Sequence, residues 1–428
     1  MRLKSVLAAA AAAIGLASAS PAMAQETTVI HAGSVLADAE SGPSGPATIT
    51  VTDGRIVSIV PGFAEVPACA TMVHLPDHTV LPGLIDTHTH LSGDPGGDFW
   101  KEAVEPDEWG VVVAVKNARV TAKAGFTTVR DVGSAGQVMQ QLRRGTAEGM
   151  IPGPRIVTAG QSIAIIGGHA DVSGFRPEVN EALATGRTCT GAVECAAVVR
   201  QASKDGSDLI KITATGGVLS QQARGLDAHF TAAEMDAIIT TAHSLGLKVA
   251  AHAHGARGIE AASAAGVDSV EHCTFGDRAA IAVMIEKGTA CVPTLMAYTG
   301  IRERLGKGVY TPQVEDKIRQ TLEVVGQAAK AMHDAGVDIV FGTDAGVFEH
   351  GRNAEEFAML VDLVGMSERE ALASATTGAA RLLGMDGEIG RLAPGFSADI
   401  IAVKGNPLDD IRALESVDWT MVRGRVVE

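Results

Sequence analysis

The sequence has 428 residues and a formal net charge of −15, and 46% of its residues are hydrophobic. A chain of this length and apolar content can bury a large core, which excludes intrinsic disorder, and the 49 glycines suit many short turns rather than a coiled coil. The acidic balance and the lack of a basic stripe argue against nucleic acid and anionic membrane surfaces as partners.

Residues 1–24 are predicted to be a signal peptide. Arg2 and Lys4 form a basic head before an Ala/Leu run, and the small residues of "AMA" precede Gln25. The apolar run is too short to span a bilayer, so a membrane anchor is the weaker alternative. We therefore expect cleavage after Ala24 and export of the protein to the periplasm or out of the cell. Loss of Arg2 and Lys4 changes the formal charge from −15 to −17.

The two flanks of the mature chain carry strand patterns. In "ITVTDGRIVSIVPG" apolar and polar residues alternate around Asp53 and Gly54, which is a hairpin pattern. The segments "GRLAPGFSADIIAVKG" and "TMVRGRVVE" near the other end alternate in the same way. Residues 25–80 and 385–428 are therefore predicted to pair into one small β-sandwich domain.

Between residues 81 and 384 one unit recurs, in which a helical segment ends at a glycine and a short strand rich in Val and Ile follows. The strands are apolar throughout, as in a parallel sheet that is covered on both faces. The eight candidate strands are "LIDTHTH", "TTVRDVG", "RIVTAG", "LIKITATG", "KVAAHAH", "SVEHCT", "ACVPTL" and "DIVFGTDA". This alternation predicts an α/β fold, a (β/α)8 TIM-type barrel over residues 81–384, with its active site at the carboxyl ends of the strands. A doubly wound open sheet is the alternative, disfavoured because no phosphate-binding glycine fingerprint follows the first strand.

Cysteine usage leaves one question open. The chain has five cysteines and no CxxC pair, so a cysteine-ligated zinc site is not expected. Cys189 and Cys195 in "TCTGAVEC" either close a small disulfide loop or remain two free thiols.

Histidines and an aspartate gather at the ends of the predicted strands. His88 and His90 are two residues apart, so in a strand they face the same side. Other strands end in similar residues, namely His252, His254, His272 and Asp344. Neutral imidazoles and a carboxylate that converge at one mouth are what a divalent cation needs, so the pattern predicts a metal site.

Lys211 lies within the predicted strand "LIKITATG". An ammonium in an apolar strand is costly and would repel a metal, so burial favours the neutral amine. A neutral amine reacts with carbon dioxide to give a carbamate, an anion with two oxygens that can bridge two cations. The alternative is a lysine paired with a nearby carboxylate at the barrel rim.

The ordered set of motifs resembles the amidohydrolase superfamily. The similarity rests on "DTHTH", the lysine strand, single histidines on the next two strands, "GTDAG", "SATTGAARLLGM" and "GRLAPGFSADIIAV". The stretches "SIAIIGGHAD", "KITATGGVLS" and "AAHAHGARGI" resemble its imidazolonepropionase-like branch, with Xaa-Pro and Xaa-Arg dipeptidase-type carboxypeptidases and ochratoxin-hydrolysing amidases.

This resemblance implies two divalent cations, with zinc expected and cobalt, manganese or iron also accepted by such ligands. It implies that His88, His90 and Asp344 hold one cation. His252 and His272 would hold the other, with Lys211 bridging the two as N6-carboxylysine. A homo-oligomer is also what the family suggests.

The implied reaction is hydrolysis of the amide bond of dipeptides or N-acyl amino acids, ochratoxin A-type amides included, through attack by a metal-bridging hydroxide. Asp344 would move the proton from the hydroxide to the leaving amine, and His254 would contact the oxyanion or the substrate carboxylate. His169 would do the same or be a loop histidine without a role. Tyr298 would bind substrate. Arg130 would bind substrate or, as favoured, form an ion pair with a neighbouring acid.

Two other functions stay open on the same barrel. One is hydrolysis of a cyclic amide or a lactone, which would give one open-chain product rather than two fragments. The other is a metal- or solute-binding barrel without turnover, which the presence of Asp344 disfavours. The sequence shows no G-x-S-x-G elbow, H-E-x-x-H helix or P-loop, so those hydrolase and nucleotide chemistries are not expected.

Overall fold

The structure is a computed structural model that describes residues 26–95, 103–184, 186–220 and 226–428. The predicted signal peptide, residues 1–24, lies outside these described residues. Within them, no helix combines the length and the apolar character that crossing a bilayer requires.

Strands and helices alternate through most of the described chain. The strands are β1 (Thr27–Val35), β2 (Ala47–Thr52), β3 (Arg55–Pro61), β4 (Thr71–Pro82), β5 (Leu84–Thr89), β6 (Phe126–Asp131), β7 (Arg155–Thr158), β8 (Ile163–Ala164), β9 (Arg187–Thr188), β10 (Leu209–Thr213), β11 (Lys248–Gly255), β12 (Ser269–Phe275), β13 (Ala290–Val292), β14 (Ile400–Val403), β15 (Val417–Val422) and β16 (Arg425–Val426). The α-helices are α1 (Asp107–Lys123), α2 (Val138–Ala147), α3 (Pro177–Ala182), α4 (Ala192–Lys204), α5 (Ala232–Ser244), α6 (Ala256–Ala265), α7 (Arg278–Lys287), α8 (Leu295–Arg304), α9 (Pro312–Leu322), α10 (Gln327–Ala335), α11 (Glu355–Met359), α12 (Glu368–Ser374) and α13 (Thr377–Leu383). A π-helical turn (Leu360–Val364) follows α11, and a 3₁₀ turn (Ile411–Glu415) precedes β15.

Both flanks of the chain combine in one seven-stranded sheet, in the order β16-β15-β14-β4-β1-β2-β3. Its pairs are antiparallel except for β1 and β4, which run parallel. One face buries an apolar cluster that includes Ile30, Ile49, Ile56, Val80 and Ile400. The prediction of a β-rich unit built from both flanks is confirmed, with one continuous sheet where two facing layers were expected.

The central part of the chain is the predicted (β/α)8 barrel. Strands β5, β6 and β7 pair in parallel, and so do β10, β11, β12 and β13. The amide of Asp208 donates to the carbonyl of Thr158 and so links β7 to the start of β10. The ring of parallel strands predicted from the sequence is confirmed.

The eighth predicted strand, residues 338–345, closes the ring without becoming a regular strand. It makes single parallel bridges, Ile339 with Cys291 and Ala345 with Thr89. Gly342 explains the close approach, because a Cβ there would lie 2.4 Å from a methyl group of Val292. The segment therefore packs closely against its neighbouring strands at Gly342 and does not form a continuous ladder of β-sheet hydrogen bonds with them.

A disulfide joins Cys189, just after β9, to Cys195 in α4. Both residues are buried, at 1% and 0% exposure. This decides between the two alternatives that the cysteine spacing left open. Cys273 and Cys291 are buried free thiols, and Cys69 is an exposed one.

Candidate metal centre

The carboxyl ends of the barrel strands surround a cavity of about 690 Å³. All of the site residues predicted from the sequence line it, namely His88, His90, His169, Lys211, His252, His254, His272, Tyr298 and Asp344. The barrel thus brings together residues that are spread over more than half of the chain.

His88, His90 and Asp344 form a first donor group, whose ligand atoms all lie within 4.8 Å of one another. The Nε2 atoms of His88 and His90 are 3.4 and 3.2 Å from Oδ1 of Asp344. The Nδ1–H of His90 donates to the carbonyl of Gly133 at 2.9 Å. Because the Nδ1 side is used in this way, Nε2 is the nitrogen that faces the cavity.

Charges within this first group favour an ionised aspartate. Burial alone would raise the pKa of Asp344, but the charges and hydrogen bonds of His88 and His90 outweigh it and hold the pKa well below its usual range. An anionic carboxylate beside two imidazoles is the form that binds a divalent cation.

His252, His254 and His272 form a second donor group with the same spread of 4.8 Å. The Nε2–H of His252 donates to the carbonyl of Gly216 at 3.3 Å, which leaves its Nδ1 free. For His254 and His272 the held nitrogen is Nδ1, which lies 2.7 Å from the hydroxyl of Thr274 and of Thr294 respectively. Each ring is therefore oriented by a partner and keeps one nitrogen for the cavity.

Burial also keeps this second group neutral. It lowers the pKa of His254 to about 3, and it lowers the pKa values of His252 and His272 well below the usual value, with neighbouring histidines adding to the effect. A neutral imidazole with a free lone pair is the metal-binding form. The three rings are all near enough for ligation, so the assignment of His252 as ligand and His254 as substrate contact stays a prediction.

Lys211 lies on β10 and is only 4% exposed. Burial lowers the pKa of its amine to about 8, although the charges of Glu271 and Asp344 act in the opposite direction. Among the described residues no carboxylate oxygen lies within 4.0 Å of its Nζ, so the expected alternative of a rim ion pair is not what the structure shows. Carboxylation of this amine stays a prediction.

The backbone is strained at two candidate metal ligands and at a residue that orients one of them. His272 has a φ of 73°, Thr294 of 49° and Asp344 of 62°, which are left-handed values that residues other than glycine seldom adopt. Each costs of order 1 kcal/mol or more and persists only where the surrounding structure enforces it. Such strain concentrates at functional sites, and here it falls at the ends of three barrel strands.

His169 lies in the loop after β8, and its ring stacks on that of His252 with centroids 4.3 Å apart. Its Nδ1 lies 2.5 Å from the hydroxyl of Ser220. The ring lies against Gly217, where a Cβ would come within 2.2 Å of it. Burial lowers the pKa of His169 to about 3, so it is a neutral imidazole at the cavity wall.

Glu271 is a site residue that no sequence pattern predicted. It is fully buried, and its Oε2 accepts the Nδ1–H of His88 at 2.7 Å. Its Oε1 pairs with Arg130 at 2.9 Å, which confirms the favoured expectation that Arg130 forms an ion pair with a neighbouring acid. Burial alone would raise the pKa of Glu271, but Arg130 and His88 lower it to about 2.

Three more residues in or near the second donor group were not predicted from the sequence. The hydroxyls of Thr274 and Thr294 contact the imidazoles of His254 and His272, as given above. Glu356, which is fully buried, accepts backbone N–H groups at the start of α8. Hydroxyl and carboxyl residues of this kind have no distinguishing sequence pattern, because their partners come from other strands and helices.

The outer wall of the cavity is mainly apolar. It is formed by side chains that include Trp109, Val138, Leu183, Val218 and Ile301. Apolar side chains of this kind suit a substrate with an apolar group.

The donor chemistry fits a divalent metal centre. Oxygen and nitrogen donors in two groups of three, with Nε2 or Nδ1 lone pairs facing one cavity, match the preferences of zinc and similar ions. The orienting partners on the far nitrogens complete the arrangement that metal-binding histidines require.

Comparison with known proteins gives the same result. The model of the amidohydrolase family matches residues 79–427. The chain belongs to this family. The resemblance inferred from the sequence motifs is thereby confirmed, and the protein is a hydrolase that acts on amide bonds.

Individual relatives are similar to this chain over most of their length. A crystal structure of a Xaa-Pro dipeptidase with bound methionine in the active site is 39% identical, has a TM-score of 0.85, and covers 94% of this chain and 99% of its own. The ochratoxinase of Aspergillus niger is 28% identical over 414 residues, which is 91% of this chain and 84% of the relative. The imidazolonepropionase of Maricaulis maris is 26% identical over 403 residues, covering 87% and 89% of the two chains. These relatives confirm the predicted branch of the family.

Proposed function

We propose that the protein is a binuclear metal-dependent amidohydrolase that cleaves dipeptides or N-acyl amino acids, ochratoxin A-type amides included. The observation that carries the proposal is the presence in one cavity of two three-residue donor groups and a buried lysine that forms no ion pair with any described carboxylate. One such group is enough for a single cation. A second group, together with an amine that burial shifts toward neutrality, is what a bridged pair requires.

The proposed ligands divide between the two positions. His88, His90 and Asp344 would hold one cation, and His252 and His272 would hold the other, with carboxylated Lys211 as a shared ligand. When bound, two divalent cations, expected to be zinc, lower the pKa of water and polarise the substrate carbonyl.

Asp344 is the proposed proton carrier. Its carboxylate lies at the floor of the cavity and is held ionised by its two histidine neighbours. It accepts a proton from the attacking water at a carboxylate oxygen and delivers that proton to the leaving nitrogen, so that the amine departs neutral.

His254, His169 and Tyr298 are the proposed substrate contacts. Both imidazoles are neutral, and burial raises the pKa of Tyr298, so each of the three can donate a hydrogen bond without carrying charge. Such donors stabilise a developing oxyanion or bind a carboxylate. The apolar wall that includes Trp109 and Ile301 would receive an apolar side chain of the substrate.

The test uses the mature protein, stripped with a chelator and reloaded with zinc, cobalt or manganese. We expect two bound cations per chain and release of free amino acid from a library of dipeptides, N-acyl amino acids and ochratoxin A. Binding of cations without any product would favour the non-catalytic barrel. A single ring-opened product from cyclic amides or lactones, with no cleavage of linear amides, would favour the other alternative.

We also propose that residues 1–24 are a signal peptide and that the protein is exported. The disulfide between Cys189 and Cys195 supports this, because such bonds persist in oxidising compartments. Mass spectrometry of the protein from cell fractions should find a chain that begins at Gln25 outside the cytoplasm. A homo-oligomer is expected, and light scattering on the same sample measures it. A chain that retains residue 1 in the cytoplasm would contradict export.

A further inference from the structure

Glu356 is a buried carboxyl that contacts none of the cavity donors directly. It lies on α11 and is fully buried. Its Oε1 accepts the backbone N–H of Leu295 at 2.8 Å, and its Oε2 accepts that of Met296 at 2.6 Å. These are the first two N–H groups of α8, which have no partner inside the helix. Glu356 therefore caps this helix from a distant part of the chain.

The residue that would ordinarily cap α8 is used elsewhere. Thr294 is the N-cap position, yet its side chain makes no capping bond and its φ is 49°. Its hydroxyl instead lies 2.7 Å from Nδ1 of His272. A threonine that capped its own helix would turn that hydroxyl toward the helix amides. Capping by Glu356 thus leaves Thr294 free to hold His272.

A second pair of side-chain hydrogen bonds starts from Tyr298, one turn further along α8. The phenol oxygen of Tyr298 lies 2.6 Å from the hydroxyl of Thr274, which in turn lies 2.7 Å from Nδ1 of His254. Tyr298 and Thr274 are 4% and 7% exposed, so both contacts are shielded from water. The start of α8 therefore sets the orientation of two of the three imidazoles in the second donor group.

We propose that Glu356 is a positioning residue, which fixes the start of α8 and orients His272 for cation binding through Thr294 and His254 for substrate contact through Tyr298. This inference rests on the proposed metal-dependent function. It predicts that loss of this carboxyl group weakens cation binding at the second donor group, with little effect on the first.

The test compares Glu356→Gln with a matched control, Glu234→Gln. Glu234 also accepts two backbone N–H groups, those of Gly191 and Thr231, but on α5 and with no bond to any imidazole of the cavity. In each variant the side-chain NH2 of the new glutamine replaces one accepting oxygen, so one of the two backbone N–H groups loses its acceptor. Both variants should therefore lose a similar amount of thermal stability.

Cobalt binding separates the two variants. In Glu356→Gln we expect the affinity for one of the two cobalt ions to fall about 10- to 100-fold, with a changed visible absorption spectrum for that ion. Glu234→Gln should bind both ions like the wild type. Equal cobalt affinity and equal spectra in the two variants would overturn the proposal and leave Glu356 as a helix cap only.

A double-mutant cycle tests whether Glu356 acts on His272 through Thr294. Thr294→Val removes the hydroxyl that holds His272, so combining it with Glu356→Gln should weaken cobalt binding by less than the product of the two single effects. Independent, multiplicative effects would overturn the route through Thr294. If Glu356→Gln does not fold, Glu356→Asp replaces it, with a smaller loss of affinity expected and wild-type binding as the contradicting result. A wild type that binds fewer than two ions or shows no hydrolysis would instead contradict the proposed function.

Discussion

The Nδ1 atom of His88 lies 2.7 Å from Oε2 of Glu271, deep in the barrel beneath the cavity. The same carboxylate accepts hydrogen bonds from Ser269 at 2.6 Å and from Arg130 at 2.9 Å. Since Glu271 stays ionised, His88 must carry its proton on Nδ1 and present the lone pair of Nε2. A carboxylate behind a metal-binding histidine both fixes the ring and makes it a better ligand.

Replacing Glu271 with Gln should therefore weaken two properties at once. We expect cation affinity at the first donor group to fall about 10- to 100-fold, because His88 loses its anionic partner. The free energy of unfolding should fall by about 3 kcal/mol, because Arg130 is left as an uncompensated buried charge. Calorimetric metal titration and chemical denaturation measure the two effects.

The double variant Arg130→Met/Glu271→Gln separates these causes. It removes the uncompensated buried charge of Arg130, so part of the lost free energy of unfolding should be recovered while cation affinity stays low. If cation affinity returned as well, the role of Glu271 would be to neutralise Arg130 rather than to orient His88.

Asp344→Asn should abolish most turnover while leaving most of the metal in place. The amide keeps a ligand oxygen but cannot accept a proton, so kcat should fall by about 100-fold or more. Asp94→Asn is the control, since Asp94 lines the same cavity but is 45% exposed and paired with Lys116. Full activity in Asp344→Asn would contradict the proton-carrier role. The measurements are kcat on a cleaved dipeptide and metal content by mass spectrometry.

Carboxylation of Lys211 should be visible in solution. Protein loaded with divalent cations in ¹³C-labelled bicarbonate should show one carbamate resonance, which is absent from Lys211→Met. Lys317→Met is a matched control, because burial also lowers the pKa of Lys317 to about 8 but its Nζ donates to backbone carbonyls of the loop after β10. A resonance that persists in Lys211→Met would rule out the assignment.

His350 should make the fold sensitive to mild acid. Burial lowers its pKa to about 4 from 6.5, even though the hydrogen bond to the Gly93 carbonyl acts to raise it. Between pH 6.5 and 4, His350 becomes protonated in the unfolded chain but stays neutral in the folded protein. The free energy of unfolding therefore decreases as the pH falls. The loss from this group approaches about 3 kcal/mol.

Chemical denaturation of metal-free protein across this pH range checks the effect. His350→Gln should show a smaller loss of stability between pH 6.5 and 4 than the wild type. His243→Gln, at a histidine whose side chain is 45% exposed, should follow the wild type. Equal pH dependence in His350→Gln and the wild type would show that His350 is not the source.

Much of the site could be predicted because its pattern is local. His88 and His90 share a face through simple strand alternation, and the apolar strands that carry the other donors were found from composition alone. Parallel strands in a closed barrel bring their carboxyl ends together, so residues far apart in sequence meet without further information.

Glu271 was missed although it stands next to His272 in "SVEHCT". Strict alternation would place neighbouring residues on opposite faces of the strand. The positive φ of 73° at His272 interrupts that alternation, so both side chains reach the barrel interior. A lone acid in an otherwise apolar strand was the available clue.

Glu356 and Thr294 could not be found in this way. The carboxyl group of Glu356 accepts a hydrogen bond from Leu295, which is 61 residues away in the sequence, and the hydroxyl of Thr294 contacts His272, which is 22 residues away. Neither pairing follows from a period or a motif, because each depends on how helices pack around the barrel. Sequence patterns predict which elements form, whereas these contacts arise only after the elements have packed.

The pairing of β4, the central strand of the seven-stranded sheet, affects how the chain folds during its synthesis. Strand β4 pairs with β1 on one side and with β14 on the other, where Pro82 lies opposite Ile400. The second partner is made only after the whole barrel has been translated. Until then one edge of β4 offers unpaired backbone groups to any other strand. A ribosome stalled or a chain cut before residue 400 should therefore yield an aggregation-prone intermediate, even with every cavity donor already present.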